Sequence, residues 1–239
     1  MRTAILSDIH GNLTAFEAVL RDLRETAPDR ILHGGDLADG GAAPAEIVDR
    51  IRGLGWSGVA GNTDEMLAAP AAFEDFAAGL PHLGALFAAV REMAAFTREA
   101  LGADRLAWLA ALPRVETGET FALVHASPGS LWHAPLPEVD NSALEMVYGT
   151  LARPLVVYGH IHRPFVRALG AFTLANAGSV GQPHDGDPRA SYLLVDDGRP
   201  SLRRVPYDVE RESARLAASG LPHAAWAARM LAAARPEMP

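Results

Sequence analysis

The chain has 239 residues, 49% of them hydrophobic and 21% charged, which suits one globular domain with a sizeable core and a modest added subdomain. It contains neither Cys nor Lys, which removes a thiolate nucleophile, a disulfide framework, a Schiff-base lysine and a P-loop lysine together. The formal net charge of −8 speaks against a broad polyanion-binding surface, so polymeric nucleic acid is not an expected partner and any phosphate chemistry must lean on bound cations.

The first apolar run, Ala4-Ile5-Leu6, is too short for a secretory leader and hands over directly to Ser7-Asp8-Ile9-His10, so the expected location is the cytoplasm. Thr14 and Glu17 read as a capping box for a helix that runs to Pro28, with Phe16, Val19, Leu20 and Leu23 at helical spacing. A second strand, Arg30-Ile31-Leu32, leads into His33-Gly34-Gly35-Asp36, and a second helix covers residues 45–52 with Pro44 in its first turn. A third strand, Gly58-Val59-Ala60, ends at Gly61-Asn62. Residues 65–112 are Ala-rich with Phe, Leu and Met interleaved, and breaks near Gly79-Leu80-Pro81 and Gly102 divide them into two or three helices. This insert either covers the end of the sheet as a cap or fills out the core as a helical layer. Its most apolar stretch, residues 80–96, is interrupted by Arg91 and Glu92 and falls short of the roughly 18 to 20 uncharged residues of a membrane span, so no membrane partner is expected.

Two further strands carry chemistry at their ends: residues 121–124 before His125, and residues 155–158 before Gly159-His160-Ile161-His162. Short alternating segments at 171–174, 191–195 and 201–205 read as antiparallel strands. Residues 209–234 read as two short helices interrupted at Gly220-Leu221-Pro222. The main domain is thus expected over 1–208, with 209–239 packed on its outside.

Five strands that each end in a polar, Gly-flanked turn place their side chains around one crevice, because ligands of open α/β sheets sit at the carboxyl ends of strands. The i, i+2 pairs Asp8/His10 and His160/His162 project to one side if their backbone is extended. With Asp36, Asn62 and His125 they make seven ligands, too many for one tetrahedral ion and suited to two ions of higher coordination. Four imidazoles with two carboxylates favour a first-row transition metal over Mg²⁺ or Ca²⁺. Mn²⁺, Fe²⁺ or Zn²⁺ are the candidates. Two such ions about 3.5 to 4 Å apart lower the pKa of a bridging water and clamp the oxygens of an in-line displacement at phosphorus.

The order Asp-x-His, Gly-Asp, Gly-Asn, lone His and Gly-His-x-His resembles the calcineurin-like metallophosphoesterase superfamily over nearly the whole chain. Within it, the stretches 7–12, 124–128 and 177–183 resemble the small bacterial and archaeal phosphodiesterase branch. The resemblance implies an α/β fold, a four-layer αββα sandwich of two mixed sheets flanked by helices. It implies that Asp8, His10 and His162 hold one metal, that Asn62, His125 and His160 hold the other, and that Asp36 bridges them. The activity it implies is hydrolysis of a small phosphate ester or nucleotide by attack of a metal-bridging hydroxide, with Asp36, Asn62 and His125 at the reacting centre and Mn²⁺ as the leading metal, Fe²⁺, Zn²⁺ or Ni²⁺ being the alternatives.

Thr63 departs from that pattern, since members with strong phosphatase activity resemble Gly-Asn-His-Asp or Gly-Asn-His-Glu and use the His to protonate the leaving oxygen. Asp64 is the nearest substitute proton donor, and capping the following helix is its competing role. The stretch after Asp36 lacks the Arg of the Ser/Thr protein phosphatases, which disfavours that activity. Asn12, Thr63, Ser179 and His184 are the expected substrate contacts, with Asn176 and Arg189 in the same polar loop. The rival to an enzyme is a binding or scaffold protein that keeps the metals with little or no catalysis. His33 is expected to pack away from Asp36, and the sequence is silent on oligomeric state.

Overall fold

The computed structural model describes residues 1–239. In chain order it contains β1 (Arg2–Leu6), α1 (Leu13–Thr26), β2 (Arg30–His33), α2 (Pro44–Leu54), β3 (Ser57–Gly58), α3 (Asn62–Ala68), α4 (Pro70–Ala78) and α5 (Gly84–Ala110). Then follow β4 (Val115–Thr117), β5 (Phe121–Val124), α6 (Asn141–Tyr148), β6 (Leu155–Tyr158), β7 (Phe165–Ala168), β8 (Thr173–Asn176), β9 (Ala190–Asp196), β10 (Arg199–Val205), α7 (Val209–Ala218) and α8 (Ala224–Ala233).

Alternate residues of one strand bury into different cores. Ile5 of β1 packs with Leu32, Leu123, Leu155 and Val157 between two sheets, whereas Ala4 and Leu6 face Phe16, Val19 and Ile47 of a helical layer. The other sheet divides in the same way. Leu123 and Val157 point inward, while Val124, Val156 and Tyr158 pack outward against Leu144 and Tyr148 of α6. Four layers result, with five strands in each of two mixed sheets, ordered β10-β9-β1-β2-β3 and β4-β5-β6-β8-β7. β1, β2 and β3 run parallel in one sheet and β5, β6 and β8 in the other. The carboxyl ends of these strands meet at one edge of the sandwich, where the polar turns lie.

Several local expectations need correction. The N-cap of α1 is Asn12, whose side chain accepts from the Ala15 N–H at 2.9 Å. Thr14 is not the cap because its hydroxyl donates to buried Glu212 of α7, which also accepts from the Thr14 N–H. That carboxylate faces the positive end of the α1 dipole. β4, β7 and α6 carry only weak sequence signatures. The first two are short, partly exposed edge strands, and α6 is announced only by Asp140, which accepts from the Ala143 N–H at 2.8 Å. The insert forms α3, α4 and α5, and α5 kinks at Gly102, whose φ of 67° is open to glycine. No helix is long and apolar enough to cross a membrane.

His33, at the end of β2, is fully buried beside Trp108 of α5, and neither ring nitrogen has a hydrogen-bond partner. Burial pushes its pKa from 6.5 down to about 4, with a weaker opposing backbone contact at Val59. Between those values the unfolded chain holds a proton that the folded chain lacks, so stability falls as pH drops from about 6.5 to about 4. The full effect is ~3 kcal/mol, from 1.36 kcal/mol per pKa unit. Thermal melts of chelator-treated protein across this window should show a shallower acid loss for His33→Leu than for the parent. At neutral pH the variant should be no less stable, since an unpartnered polar group is exchanged for an apolar one. An unchanged pH profile would count against this account of His33.

Candidate metal centre

The side chains at the strand ends converge, but not through extended backbone. Asp8, His10, Asp36, His160 and His162 all have left-handed φ values, between 48° and 65°. Non-glycine residues seldom adopt this region, and each such residue costs on the order of 1 to 3 kcal/mol unless its surroundings enforce it. The i, i+2 pairs therefore meet because tight turns curl both members inward. Gly61 and Gly159 allow the close approach this needs. A Cβ at Gly61 would lie 2.0 Å from Asp36 Oδ1, and one at Gly159 would lie 2.4 Å from Asp8 Oδ2.

One ligand atom from each of Asp8, His10, Asp36 and His162 falls within 4.8 Å of the others, and all four residues are buried. His10 Nε2 and His162 Nε2 are 3.2 Å apart, and His162 Nε2 is 3.1 Å from Asp8 Oδ1. A second group lies alongside, where Asn62 Oδ1 is 2.9 Å from both His125 Nε2 and His160 Nδ1. Asp36 Oδ2 stands between the groups, 3.5 Å from His125 Nε2 and 3.7 Å from His10 Nε2.

Backbone carbonyls define the imidazole tautomers. Nδ1 of His10 donates to Asp39 O at 2.8 Å, Nδ1 of His125 to Gly34 O at 2.7 Å, and Nδ1 of His162 to Gln182 O at 2.6 Å. A carbonyl only accepts, so each Nδ1 carries the proton and each Nε2 presents a lone pair to the centre. The lone pairs of His10 and His162 then face each other beside two carboxylates. Such an arrangement requires a cation or an extra proton, and metal–nitrogen bonds near ~2.1 Å fit its span.

Without a cation the cluster titrates unevenly. Burial acts to raise the Asp8 pKa, but the facing imidazoles, His162 first, outweigh it and hold it below the usual carboxylate range. Burial acts to lower the His162 pKa, and Asp8 overcomes this and raises it. The pKa of His10 is lowered by burial and then by the neighbouring His162. Metal binding is therefore expected to displace protons.

The remaining expected site residues are placed as follows. Asp64 does not reach the centre, because its carboxylate accepts from the N–H groups of Asp36, Leu37 and Gly61 at 2.8, 3.1 and 2.9 Å. Burial and then the charge of Asp36 push its pKa up to about 6, against those same hydrogen bonds. Its geometry is that of a cap and loop clamp, not of a proton donor facing the crevice. Asn12 is occupied with capping α1 and with donating to Gly181 O at 2.8 Å. The Ser179 hydroxyl donates to Asp8 O at 2.6 Å and accepts from the Gln182 N–H at 2.7 Å, which braces the metal turn from behind. Asn176 donates to Gly159 O at 2.6 Å, and Arg189 pairs with Asp187.

Thr63 and His184 do border open space. The Thr63 N–H donates to Asp36 Oδ1 at 2.9 Å, its hydroxyl is buried without a partner, and the residue lines a cavity of about 280 Å³ with His10, Asn62 and His160. His184 packs over His162, with ring centroids 4.4 Å apart, and lines a separate open groove with His160, Arg163 and Arg235. Sequence reasoning missed Asp39 and Gln182, whose carbonyls orient His10 and His162. Every residue has a carbonyl, so no residue type advertises that role.

A two-sheet sandwich that gathers these turns at one edge defines the metallophosphoesterase class. Residues 1–198 match the model of the calcineurin-like phosphoesterase superfamily domain, and the chain belongs to that superfamily. It is 29% identical over 242 residues to the uncharacterized protein MJ0912 of Methanocaldococcus jannaschii, covering 92% of this chain and 93% of that one. A metallophosphoesterase from Sphaerobacter thermophilus superposes with a TM-score of 0.81 at 28% identity, covering 98% of this chain and 99% of that one. The hypothetical protein PH1004 from Pyrococcus horikoshii shares the fold, with a TM-score of 0.81 at 20% identity over 96% of this chain and 97% of that one.

Proposed function

We propose that this chain is a metal-dependent phosphodiesterase acting on a small phosphate ester. The observation that carries this reading is the buried set of bare nitrogens and carboxylate oxygens around Asp36, arranged as two adjacent groups. Asp8, His10 and His162 would hold one divalent ion, Asn62, His125 and His160 a second, with Asp36 shared, and Mn²⁺ suits the mixed donors. When bound, the ions supply water activation and neutralise charge on the phosphoryl oxygens. The protein's own contribution is to hold the rings by Asp39 O, Gly34 O and Gln182 O so that little reorganisation accompanies the reaction. A diester is favoured over a monoester because His160 borders two spaces, the cavity beside Thr63 and the groove beside His184, so each ester arm has its own exit.

The test is hydrolysis of bis(p-nitrophenyl) phosphate and p-nitrophenyl phosphate by chelator-treated protein before and after Mn²⁺ is restored. Turnover that requires Mn²⁺ and prefers the diester is expected. The second reading, a metal-binding scaffold with little catalysis, draws on Thr63, which offers no imidazole to the leaving oxygen. Stoichiometric metal uptake with no turnover on either ester would favour the scaffold.

A further inference from the structure

Resting on the phosphodiesterase reading, we propose that one ester arm of the substrate is an uncharged, apolar group of about two fused rings, held under the insert helices. The cavity beside Thr63 starts at His10, Asn62 and His160 and extends between α4, α5 and α8. Its far walls are formed by Phe73, Phe76, Val90, Met93, Trp132 and Trp226. No Arg lines it, and its one acidic side chain, Asp39, sits at the metal end, so a second phosphate or carboxylate entering there meets no compensating charge. The two indoles reinforce this apolar character. The Trp132 N–H donates to Glu65 at 2.7 Å and the Trp226 N–H to Glu237 O at 3.0 Å, which leaves ring surface facing inward.

The walls are also braced by one another. Phe76 stacks on Trp132 with centroids 4.8 Å apart, and Phe73 meets Phe87 edge-on at 5.5 Å. An apolar cavity of ~150 Å³ accepts one benzene ring, and this one holds about 280 Å³. Nucleobase edges would find few partners away from the metal end, where only Thr63, Asp39 and Gln182 offer polar side chains besides the metal-site residues. Arg163, paired with Glu138, and Arg235 lie instead in the open groove on the other side of His160, which Asp185 also lines. A polar second arm belongs there.

The test uses isothermal titration of Mn²⁺-loaded protein with three non-hydrolysable ligands: methylphosphonate, 2-naphthylmethylphosphonate and phosphonoacetate. The naphthyl ligand should bind roughly 30-fold more tightly than methylphosphonate, in proportion to the apolar area it buries, and phosphonoacetate should gain nothing. Phe76→Ala on α4 and Leu86→Gln, at a residue that lines the same cavity from α5, should each bring the naphthyl preference down to a few-fold. Equal binding of naphthyl and methyl ligands, tighter phosphonoacetate, or a preference unmoved by either substitution overturns the apolar-arm assignment and leaves the phosphodiesterase reading standing. Failure of all three to bind protein that has taken up Mn²⁺ overturns both.

Discussion

Asp36→Asn is expected to lower Mn²⁺-dependent turnover of bis(p-nitrophenyl) phosphate by at least ~10³-fold, because several kcal/mol of charge stabilisation depend on the metals. Asp36 Oδ2 faces His10 and His125 from the two ligand groups, so one substitution weakens both. The Asn amide oxygen can still accept the Thr63 N–H that now bonds Asp36 Oδ1 at 2.9 Å, and the side-chain volume hardly changes. The backbone N–H of residue 36 keeps its bond to Asp64. Apo-protein melting should therefore stay level or rise, since the charge of Asp36 disfavours the ionised form of Asp64. Metal content by mass spectrometry should fall in parallel with kcat. A variant that retains activity within tenfold would remove Asp36 from the centre of the scheme.

The parallel core of the sandwich was readable because β1, β2, β5 and β6 are short apolar runs that each end in a polar turn, a pattern with few other readings; β3 is the exception, since the apolar residues expected to form it, Val59 and Ala60, lie beyond a two-residue strand, Ser57–Gly58. Edge strands carry less information: β4 and β7 are short and partly exposed, so neither alternation nor length singles them out. At the site, Asp8, His10, Asp36 and His162 were readable by residue type and order, and the structure brings them within 4.8 Å. The way they meet was not readable. Five left-handed residues are a tertiary consequence of turns packed against one another, and no propensity for Asp or His announces them. Motif membership also says little about which way a side chain points. Asn12 and Asp64 follow candidate ligands within two residues and Ser179 packs behind Asp8, yet each spends its polar atoms mainly on backbone groups. The apolar cavity was invisible for a different reason: an Ala-rich stretch with interleaved Phe and Met reads equally well as core, and only the docking of α8 onto α5 completes the walls.

Thr63→His is the second substitution with a large expected effect, and its sign is opposite. Position 63 is at the metal end of the cavity, its N–H bond to Asp36 is independent of side chain, and its hydroxyl contributes no hydrogen bond that would be lost. An imidazole there stands beside Asn62 and the ester oxygen of whichever arm enters the cavity. For an alkyl leaving group, which needs a proton as it departs, kcat should rise by ~10²-fold or more. For p-nitrophenolate, which leaves readily as an anion, kcat should change little. Comparing ethyl and p-nitrophenyl phosphodiesters across pH separates the two cases, and an equal effect on both would show that the new ring alters binding instead of protonation. The same imidazole occupies space that Thr63 leaves open, so affinity for 2-naphthylmethylphosphonate should drop while that for methylphosphonate holds. That pair of outcomes would identify Thr63 as a trade between proton donation and room for a bulky arm.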